Sequence, residues 1–317
     1  MATIKLNLKS SPSDGGATSV FGFLCEQIVR KHSLRRYGTC RAYTNAYLRF
    51  REFRAGADLG FAALTPDLIE SYGAWLADRR LKPNTTRFYL RTLSTMLHHA
   101  AERGLVDDRR LFDRVSLTFV KTTKRAISER QVRAIERLPL PEGSGLALAR
   151  DVFMFSFYTR GMPFVDIAYL RKSDLRYGTL CYCRRKTGQL LTVAWEREQQ
   201  SIVDRYASRT AGSPYMFPFI RCEDGTEYLQ YQRVLENINR NLKTIGRMVG
   251  LKLPLTTYVA RHSWASIARD MNFSIAVISE GMGHTSYKTT QVYLDSIDTS
   301  KINDANRRII QRIRRGE

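Results

Sequence analysis

The segment Gly283–Tyr293, with the sequence GHTSYKTTQVY, places one histidine nine residues before one tyrosine near the end of the chain. A second segment, Tyr258–Trp264, has the sequence YVARHSW and adds an arginine followed directly by a histidine. Arginine suits a phosphate group because its planar guanidinium donates two parallel hydrogen bonds. A tyrosine hydroxyl is a weak nucleophile at neutral pH, so it needs cations and a proton donor around a phosphodiester. These two segments supply the nucleophile and the cations for that chemistry.

Composition and charge point to a globular protein with a polyanionic partner. The chain has 317 residues, enough for two ordinary domains, with 43% hydrophobic and 26% charged residues. Its formal net charge is +21, and the basic residues recur along the whole chain, which favours a nucleic acid over a membrane surface. No apolar stretch approaches the roughly 18 residues of a spanning helix, and the N-terminus lacks an apolar run of signal-peptide type. We therefore expect a cytoplasmic protein that binds no membrane.

The cysteines and acidic residues do not predict a metal site. Five cysteines without framework spacing are most simply free thiols in a reducing compartment. Cys181 and Cys183 would share one face of a strand, but no further ligands lie near them in the sequence. The chain also lacks an acidic cluster with metal-ligand spacing, which argues against a two-metal nuclease. We expect no metal and no cofactor.

The N-terminal half predicts a helical block behind a short flexible arm at residues 1–15. Helical spacing of apolar residues begins at Val20 and recurs in three further runs, at about 36–54, 65–80 and 84–104. The third run begins with Thr65-Pro66-Asp67, in which the threonine can cap the helix and the proline suits its first turn.

The C-terminal half predicts more helices around one small β element. Residues 116–126 form a basic linker whose Lys121 and Lys124 are candidates for DNA contact. Ser128 is placed to cap a new helix. Short β-rich runs flank the turn Lys186–Gln189 and predict a hairpin within residues 178–195. The predicted fold class is mostly α with a small β-hairpin or sheet, divided into two domains.

Taken in order, the hairpin lysine, Arg-His-Ser-Trp-Ala, Gly-His and the final tyrosine resemble the motifs of the tyrosine recombinase (phage integrase) family. The resemblance covers nearly the whole chain and is most specific in its C-terminal part. It implies a helical core DNA-binding domain over residues 16–115 and a catalytic domain over residues 127–317 that ends in an exchange helix. It also implies that duplex DNA is cut and rejoined through a covalent phosphotyrosine.

The resemblance assigns roles to individual residues. Tyr293 would be the nucleophile, Arg261 would clamp a non-bridging phosphate oxygen, and His284 would hydrogen-bond the scissile phosphate. Lys186 would be the general acid in the minor groove. Supporting and DNA-contacting roles fall to the remaining candidates, which are Arg184, Arg185, Asp166 and His262. Each assignment has an ordinary alternative: a packed tyrosine, a capping or buried histidine, a surface salt bridge, or a solvated charged turn.

Two positions depart from the family pattern. Tyr258 stands where the family has a histidine; it can donate a hydrogen bond to phosphate, but its pKa near 10 makes it a poor base. Pro163 stands where the family has its first arginine, three residues before Asp166. We expect Arg160 to replace that arginine, because Gly161 permits a turn that swings it inward. The alternative is that Arg160 only binds DNA or a carboxylate.

These features predict a site-specific recombinase that forms a C-shaped clamp on DNA. It would act as a homotetramer on two DNA sites, in integration or inversion. No small-molecule substrate is expected. The apolar stripe Ile302–Ile313 would dock on a neighbouring protomer or on its own core. One alternative is a DNA-binding architectural or regulatory protein that has lost catalysis, for which Pro163 and Tyr258 argue. Another is a relaxing topoisomerase of related chemistry.

Overall fold

The computed structural model describes residues 19–120, 125–284 and Thr290. The chain divides into two compact units, Met1–Thr122 and Thr123–Glu317, which we call the N-terminal unit and the C-terminal unit. The predicted arm at residues 1–15, the linker residues Lys121 and Lys124, Tyr293 and the stripe Ile302–Ile313 lie outside the described residues.

Helices build the described part of the N-terminal unit, as the apolar spacing predicts. They are α1 (Val20–Ser33), α2 (Tyr37–Phe53), α3 (Pro66–Asp78) and α4 (Pro83–Ala101), with a 3-10 turn at Phe61–Ala63. The start of α3 confirms the predicted cap: the hydroxyl of Thr65 accepts a hydrogen bond of 3.2 Å from the amide of Leu68, and Pro66 lies in the first turn.

Aromatic side chains fill the core of this unit. Phe50 and Tyr72 are fully buried and meet edge to face, with their ring centroids 5.1 Å apart. Phe21 meets Phe50 in the same way at 6.1 Å. Truncation of a buried phenylalanine to alanine typically costs about 3–5 kcal/mol, so these contacts hold the helices together.

The C-terminal unit is also mainly helical. Its elements in chain order are α5 (Glu129–Glu136), α6 (Gly145–Tyr158), α7 (Phe164–Ala168), β1 (Leu175–Arg176), β2 (Thr179–Cys183), β3 (Leu190–Ala194), α8 (Arg197–Asp204), α9 (Glu227–Met248), α10 (Thr257–Asp270) and α11 (Ile275–Gly281), with 3-10 turns at Lys172–Asp174 and Ser208–Thr210. Ser128 caps α5 as predicted, in a capping box with Gln131.

Helix α6 is the centre of this unit. Its residues are apolar on nearly all sides, which is the pattern of a helix surrounded by others, and Phe153 and Phe155 are fully buried. It packs against α8, α9 and α10. Because other helices hold α6 on several sides, the end of α6 has a fixed position. That position fixes the start of the segment that follows, Thr159–Met162.

The strands form one antiparallel sheet in the order β1-β2-β3. Leu180 pairs with Val193 and Cys183 pairs with Leu190, so β2 and β3 make the hairpin predicted from the sequence. Strand β1 extends the sheet and was not predicted, because its two residues are too short to show a period. The mostly α fold class with a small sheet is confirmed. Within the described residues, no helix is both long and apolar enough to cross a membrane.

Candidate active site

The chain reverses sharply after α6, and this turn starts the site. Arg160 and Gly161 both have a left-handed backbone, with φ of 59° and 76°. The amide of Gly161 donates to the carbonyl of Ser156 at 2.7 Å, and the Ser156 hydroxyl donates to the carbonyl of Met162 at 2.8 Å. A side chain at Gly161 would begin 2.6 Å from Cα of Arg261. The turn therefore requires glycine, and it brings this backbone directly against α10.

Arg261 lies on α10 and is buried, with 3% of its surface exposed. Its Nη1 donates to the carbonyl of Gly161 at 2.9 Å, and its Nη2 donates to the carbonyl of Met282 at 2.7 Å. The same Nη2 lies 2.8 Å from Nε2 of His284. Arg261 thus joins the turn after α6 to the loop after α11, and its guanidinium is held in a single orientation.

His284 is fixed on both sides of its ring. Nε2 faces Arg261, and Nδ1 lies 2.7 Å from the hydroxyl of Thr290. A guanidinium can only donate, so Nε2 accepts and the proton is assigned to Nδ1, which donates to Thr290. Burial first, and then the charges of Arg261 and Arg184, lower the pKa of His284 to about 4. The ring is therefore neutral at pH 7.

Arg160 lies beside these groups. Its Nη1 donates to the carbonyl of Thr192 on β3 at 3.3 Å, and its Cδ would lie 3.6 Å from a side chain placed at Gly281. Pro163 caps the short helix α7 with an extended backbone. The structure thus brings the backbone at 160–161 against Arg261, while the Arg160 guanidinium extends between α11 and β3.

The hairpin turn carries Lys186, which is exposed. Asp166, buried in α7, accepts a hydrogen bond of 2.9 Å from the amide of Arg185, and the Arg185 guanidinium stacks over the ring of Tyr169 at 3.7 Å. Burial raises the pKa of Asp166, and the amide of Arg185 together with nearby arginines opposes that rise. Asp166 therefore anchors the turn from one side.

Arg184 is buried, in contrast to the DNA-backbone contact predicted for it. Its surface is 9% exposed, and its Nη1 lies 2.5 Å from the carbonyl of Gly283. This contact lies within the protein, so the structure gives Arg184 a role that its sequence neighbours did not indicate. Its contact with DNA stays a prediction.

Tyr258 and His262 form a pair on successive turns of α10. Their rings meet edge to face with centroids 4.7 Å apart, and Tyr258 is 46% exposed. Burial, followed by the charges of Arg125 and Arg261, lowers the pKa of His262 to about 4. The neutral ring of His262 packs against Tyr258, whose own ring stays at the surface. The supporting role of His262 stays a prediction.

Two features of the site were not predicted from the sequence: Thr290 is the partner of His284, and Gly161 closely approaches Arg261. The threonine lies in a polar run that offers no signal for one member over the next, whereas Gly161 stood out only for its flexibility. Groups of three or more histidine, cysteine or acidic residues that would hold a metal do not occur among residues 19–120 and 125–284.

Two family models match this chain. Residues 19–112 match the phage integrase SAM-like domain, and residues 119–299 match the phage integrase family. Tyrosine recombinase XerA of Pyrococcus furiosus is 29% identical over 178 residues, which are 55% of this chain and 58% of that protein. Tyrosine recombinase XerC of Roseiflexus castenholzii is 24% identical over 270 residues, 80% of this chain and 82% of the relative.

A solved lambda integrase tetramer bound to a Holliday junction has a similar fold, with a TM-score of 0.64 at 14% identity. The similarity covers 90% of this chain and 81% of that one. The family match spans more than half of the chain, and it includes the site assembled by Arg261, His284 and the hairpin. The chain belongs to the phage integrase family, the tyrosine recombinases that its sequence motifs resemble.

Proposed function

We propose that the protein is a site-specific DNA recombinase in which Tyr293 attacks a scissile phosphate. The attack leaves a 3′-phosphotyrosyl bond and frees a 5′-hydroxyl, and the 5′-hydroxyl of a second duplex then attacks that bond. The observation that carries the proposal is the bridge from Gly161 through Arg261 to His284, nine residues before Tyr293. Because the phosphotyrosine conserves the bond energy, the reaction needs no ATP.

An excess of positive charge supports an anionic substrate at this place. The arginines Arg160, Arg184 and Arg261 and one carboxylate, Asp166, all lie close enough to the buried Tyr182 to shift its pKa. Three cations and one carboxylate leave about two positive charges in excess. Like charges repel strongly here because the region is partly buried and its effective dielectric constant is low. A phosphodiester that enters would offset this excess. Of the three arginines, Arg160 and Arg261 are the proposed clamps on the charge that develops in the transition state.

We propose a role for each of these residues. Arg261 presents a fixed guanidinium to the phosphate, and Lys186, on an exposed turn, would reach the leaving 5′ oxygen and protonate it. Tyr258, half-exposed on α10, would donate a hydrogen bond to the phosphate. His284 is neutral without DNA, and the negative phosphate would raise its pKa and favour a protonated, donating ring. Arg160 would supply the second clamp in place of Pro163.

DNA binding by the N-terminal unit is supported by the groove between α2 and α4. Two arginines and three threonines line it beside small and aromatic residues, and the full set is Gly38, Thr39, Ala42, Tyr43, Arg87, Phe88, Arg91, Thr92 and Thr95. Arginines and threonines are common donors to phosphate oxygens. The net charge of +21 predicts a binding constant that falls steeply with salt. Lys121, Lys124 and Arg185 are further proposed contacts.

The wider assembly is also a proposal. The relatives are named tyrosine recombinases, and the lambda integrase structure is a tetramer on a Holliday junction. We propose that four protomers act on two duplex sites, in integration or inversion, and that the stripe Ile302–Ile313 links neighbouring protomers. We also propose that the protein works in the cytoplasm.

The direct test uses a nicked suicide duplex made from the DNA that flanks the gene. The cut strand would lose the short fragment that carries the new 5′-hydroxyl, so religation fails and the covalent protein–DNA complex accumulates. We expect the wild type to form this complex and Tyr293→Phe to bind the duplex without forming it. A wild type that binds specifically but never becomes linked would instead support the DNA-binding factor that has lost catalysis. Relaxation of supercoiled DNA that lacks the site would support a topoisomerase.

A further inference from the structure

Arg184 closes the turn that carries Lys186. Its amide donates to the carbonyl of Gln189 at 2.8 Å, and its carbonyl accepts from the amide of Gly188 at 2.7 Å. These two bonds are the last rung of the hairpin before the exposed residues Arg185–Thr187. The backbone of Arg184 is therefore where the position of the Lys186 turn is set.

The side chain of Arg184 leaves the hairpin and reaches the loop that precedes His284. Its Nη1 lies 2.5 Å from the carbonyl of Gly283 and 3.5 Å from that of Met282. The Met282 carbonyl also accepts from Arg261 at 2.7 Å. One buried guanidinium from the hairpin and one from α10 thus meet at the carbonyl of Met282.

Gly283 allows this close approach. Its φ is 65°, and a side chain built there would begin 2.6 Å from Cδ1 of Leu191 and 3.2 Å from Cδ of Arg184. Both contacts come from the hairpin, one on each side of the turn. The backbone of the loop at Gly283 therefore packs directly against the side chains of Leu191 and Arg184 from the hairpin.

We infer that Arg184 is a positioning residue that fixes the Lys186 turn relative to His284 and Arg261. The inference rests on the proposed function, in which Lys186 is the general acid. It differs from the DNA contact predicted from the sequence, since the guanidinium is used inside the protein. Acid catalysis needs the donor within hydrogen-bond reach of the leaving oxygen, so an exposed lysine on a turn anchored from one side only would lose much of its effect.

Loss of Arg184 would free the hairpin more than the loop. The loop keeps Arg261, and it also keeps its backbone bonds from His284 to Ser279 at 2.9 Å and from Gly283 to Glu280 at 2.8 Å. Among the described residues, the turn keeps the bond from Arg185 to Asp166 and the stacking of Arg185 on Tyr169. The predicted defect is therefore in Lys186, and it should resemble the loss of Lys186 itself.

The experiment compares Arg184→Met with Lys186→Ala in single-turnover cleavage at saturating DNA. Two suicide duplexes are used: one with the ordinary 5′ oxygen, and one with sulfur in its place, whose thiolate leaves without a proton. We expect Arg184→Met to cleave the ordinary duplex about a hundredfold more slowly than wild type, the scale expected for a misplaced catalytic group. On the sulfur duplex both variants should approach the wild-type rate.

A matched control and a milder variant keep the test decisive. Arg176→Ala removes an exposed arginine from β1 of the same sheet and should cleave both duplexes at the wild-type rate. Arg184→Lys keeps a charged donor, so it guards against a failure of Arg184→Met to fold. It should lose about tenfold on the ordinary duplex, a partial loss on the same scale, and recover on the sulfur duplex.

The inference is overturned if folded Arg184 variants cleave the ordinary duplex normally, or if they remain slow on the sulfur duplex while Lys186→Ala recovers. In the second case Arg184 acts on the phosphate or on His284. Failure of the proposed function gives another pattern: wild type forms no covalent complex, or Lys186→Ala does not recover on the sulfur duplex.

Discussion

Nη2 of Arg261 lies 2.8 Å from Nε2 of His284, so two groups expected to bind one phosphate are in direct contact with each other. Because Arg261 can only donate, the imidazole is held neutral with its proton on Nδ1. A phosphate that enters would take donors from Arg261 and release Nε2. Its negative charge would also favour protonation of the ring. The pair is therefore arranged so that the histidine becomes a donor when the substrate arrives.

Gly161→Ala should disrupt the site through Arg261. The new Cβ would lie 2.6 Å from Cα of Arg261, and the residue would keep an unfavourable φ of 76°. We expect a loss of roughly 2–4 kcal/mol in the free energy of unfolding, measured with urea, because overpacking adds to backbone strain. Gly178→Ala is the control, since its φ of 70° is similar but nothing lies within 4 Å. Equal losses in the two variants would show that the contact with Arg261 is unimportant.

Thr290→Val should slow cleavage with little effect on folding. Thr290 is fully buried, and its hydroxyl is the partner of Nδ1 of His284. Valine has nearly the shape of threonine, but it gives the proton on Nδ1 of His284 no acceptor. The lost hydrogen bond is worth about 1 kcal/mol in the positioning of the ring. The single-turnover rate should therefore fall about five- to tenfold. Thr290→Ser retains the hydroxyl and should remain near the wild-type rate. If serine were as slow as valine, packing of the methyl group would be the cause instead.

Acid should destabilise the C-terminal unit through its two half-buried histidines, His262 and His284. The pKa values of His262 and His284 are lowered to about 4 from an ordinary 6.5, so the unfolded chain binds more protons between these values. Their contribution to stability is fully present above about pH 6.5 and is lost as the pH falls toward 4. The melting temperature should therefore fall across this window. His262→Phe should flatten the slope, and an unchanged slope would contradict the lowered pKa of this ring.

Arg160→Ala should cut the cleavage rate at saturating DNA by about a hundredfold or more, because removal of one fixed donor to a developing oxyanion has this scale. Arg160→Lys should restore only part, since the planar fork is lost. Arg160 donates a long hydrogen bond of 3.3 Å to the carbonyl of Thr192. A phosphate oxygen would replace this weak acceptor. Near-normal cleavage by Arg160→Ala would reject the replacement of the family's first arginine.

Local sequence signals predicted most of the fold. Thr65 and Ser128 mark helix starts because a hydroxyl at the cap satisfies amides that the helix leaves unpaired, and this depends only on neighbours in sequence. The hairpin was predicted for a similar reason. Arg184 was not, because an arginine in a basic turn has the pattern of a solvated side chain. Its burial depends on Gly283, which lies 99 residues away in the chain.

The central claim is tested most directly by locating the covalent bond. Wild-type protein is trapped on the nicked suicide duplex, digested with a protease, and the DNA-linked peptide is identified by mass spectrometry. The account predicts that the nucleotide is attached to Tyr293 through a 3′-phosphate and that Tyr293→Phe yields no linked peptide while still binding DNA. Attachment at another residue, with Tyr287 the nearest candidate, or an adduct that persists in Tyr293→Phe, would contradict it.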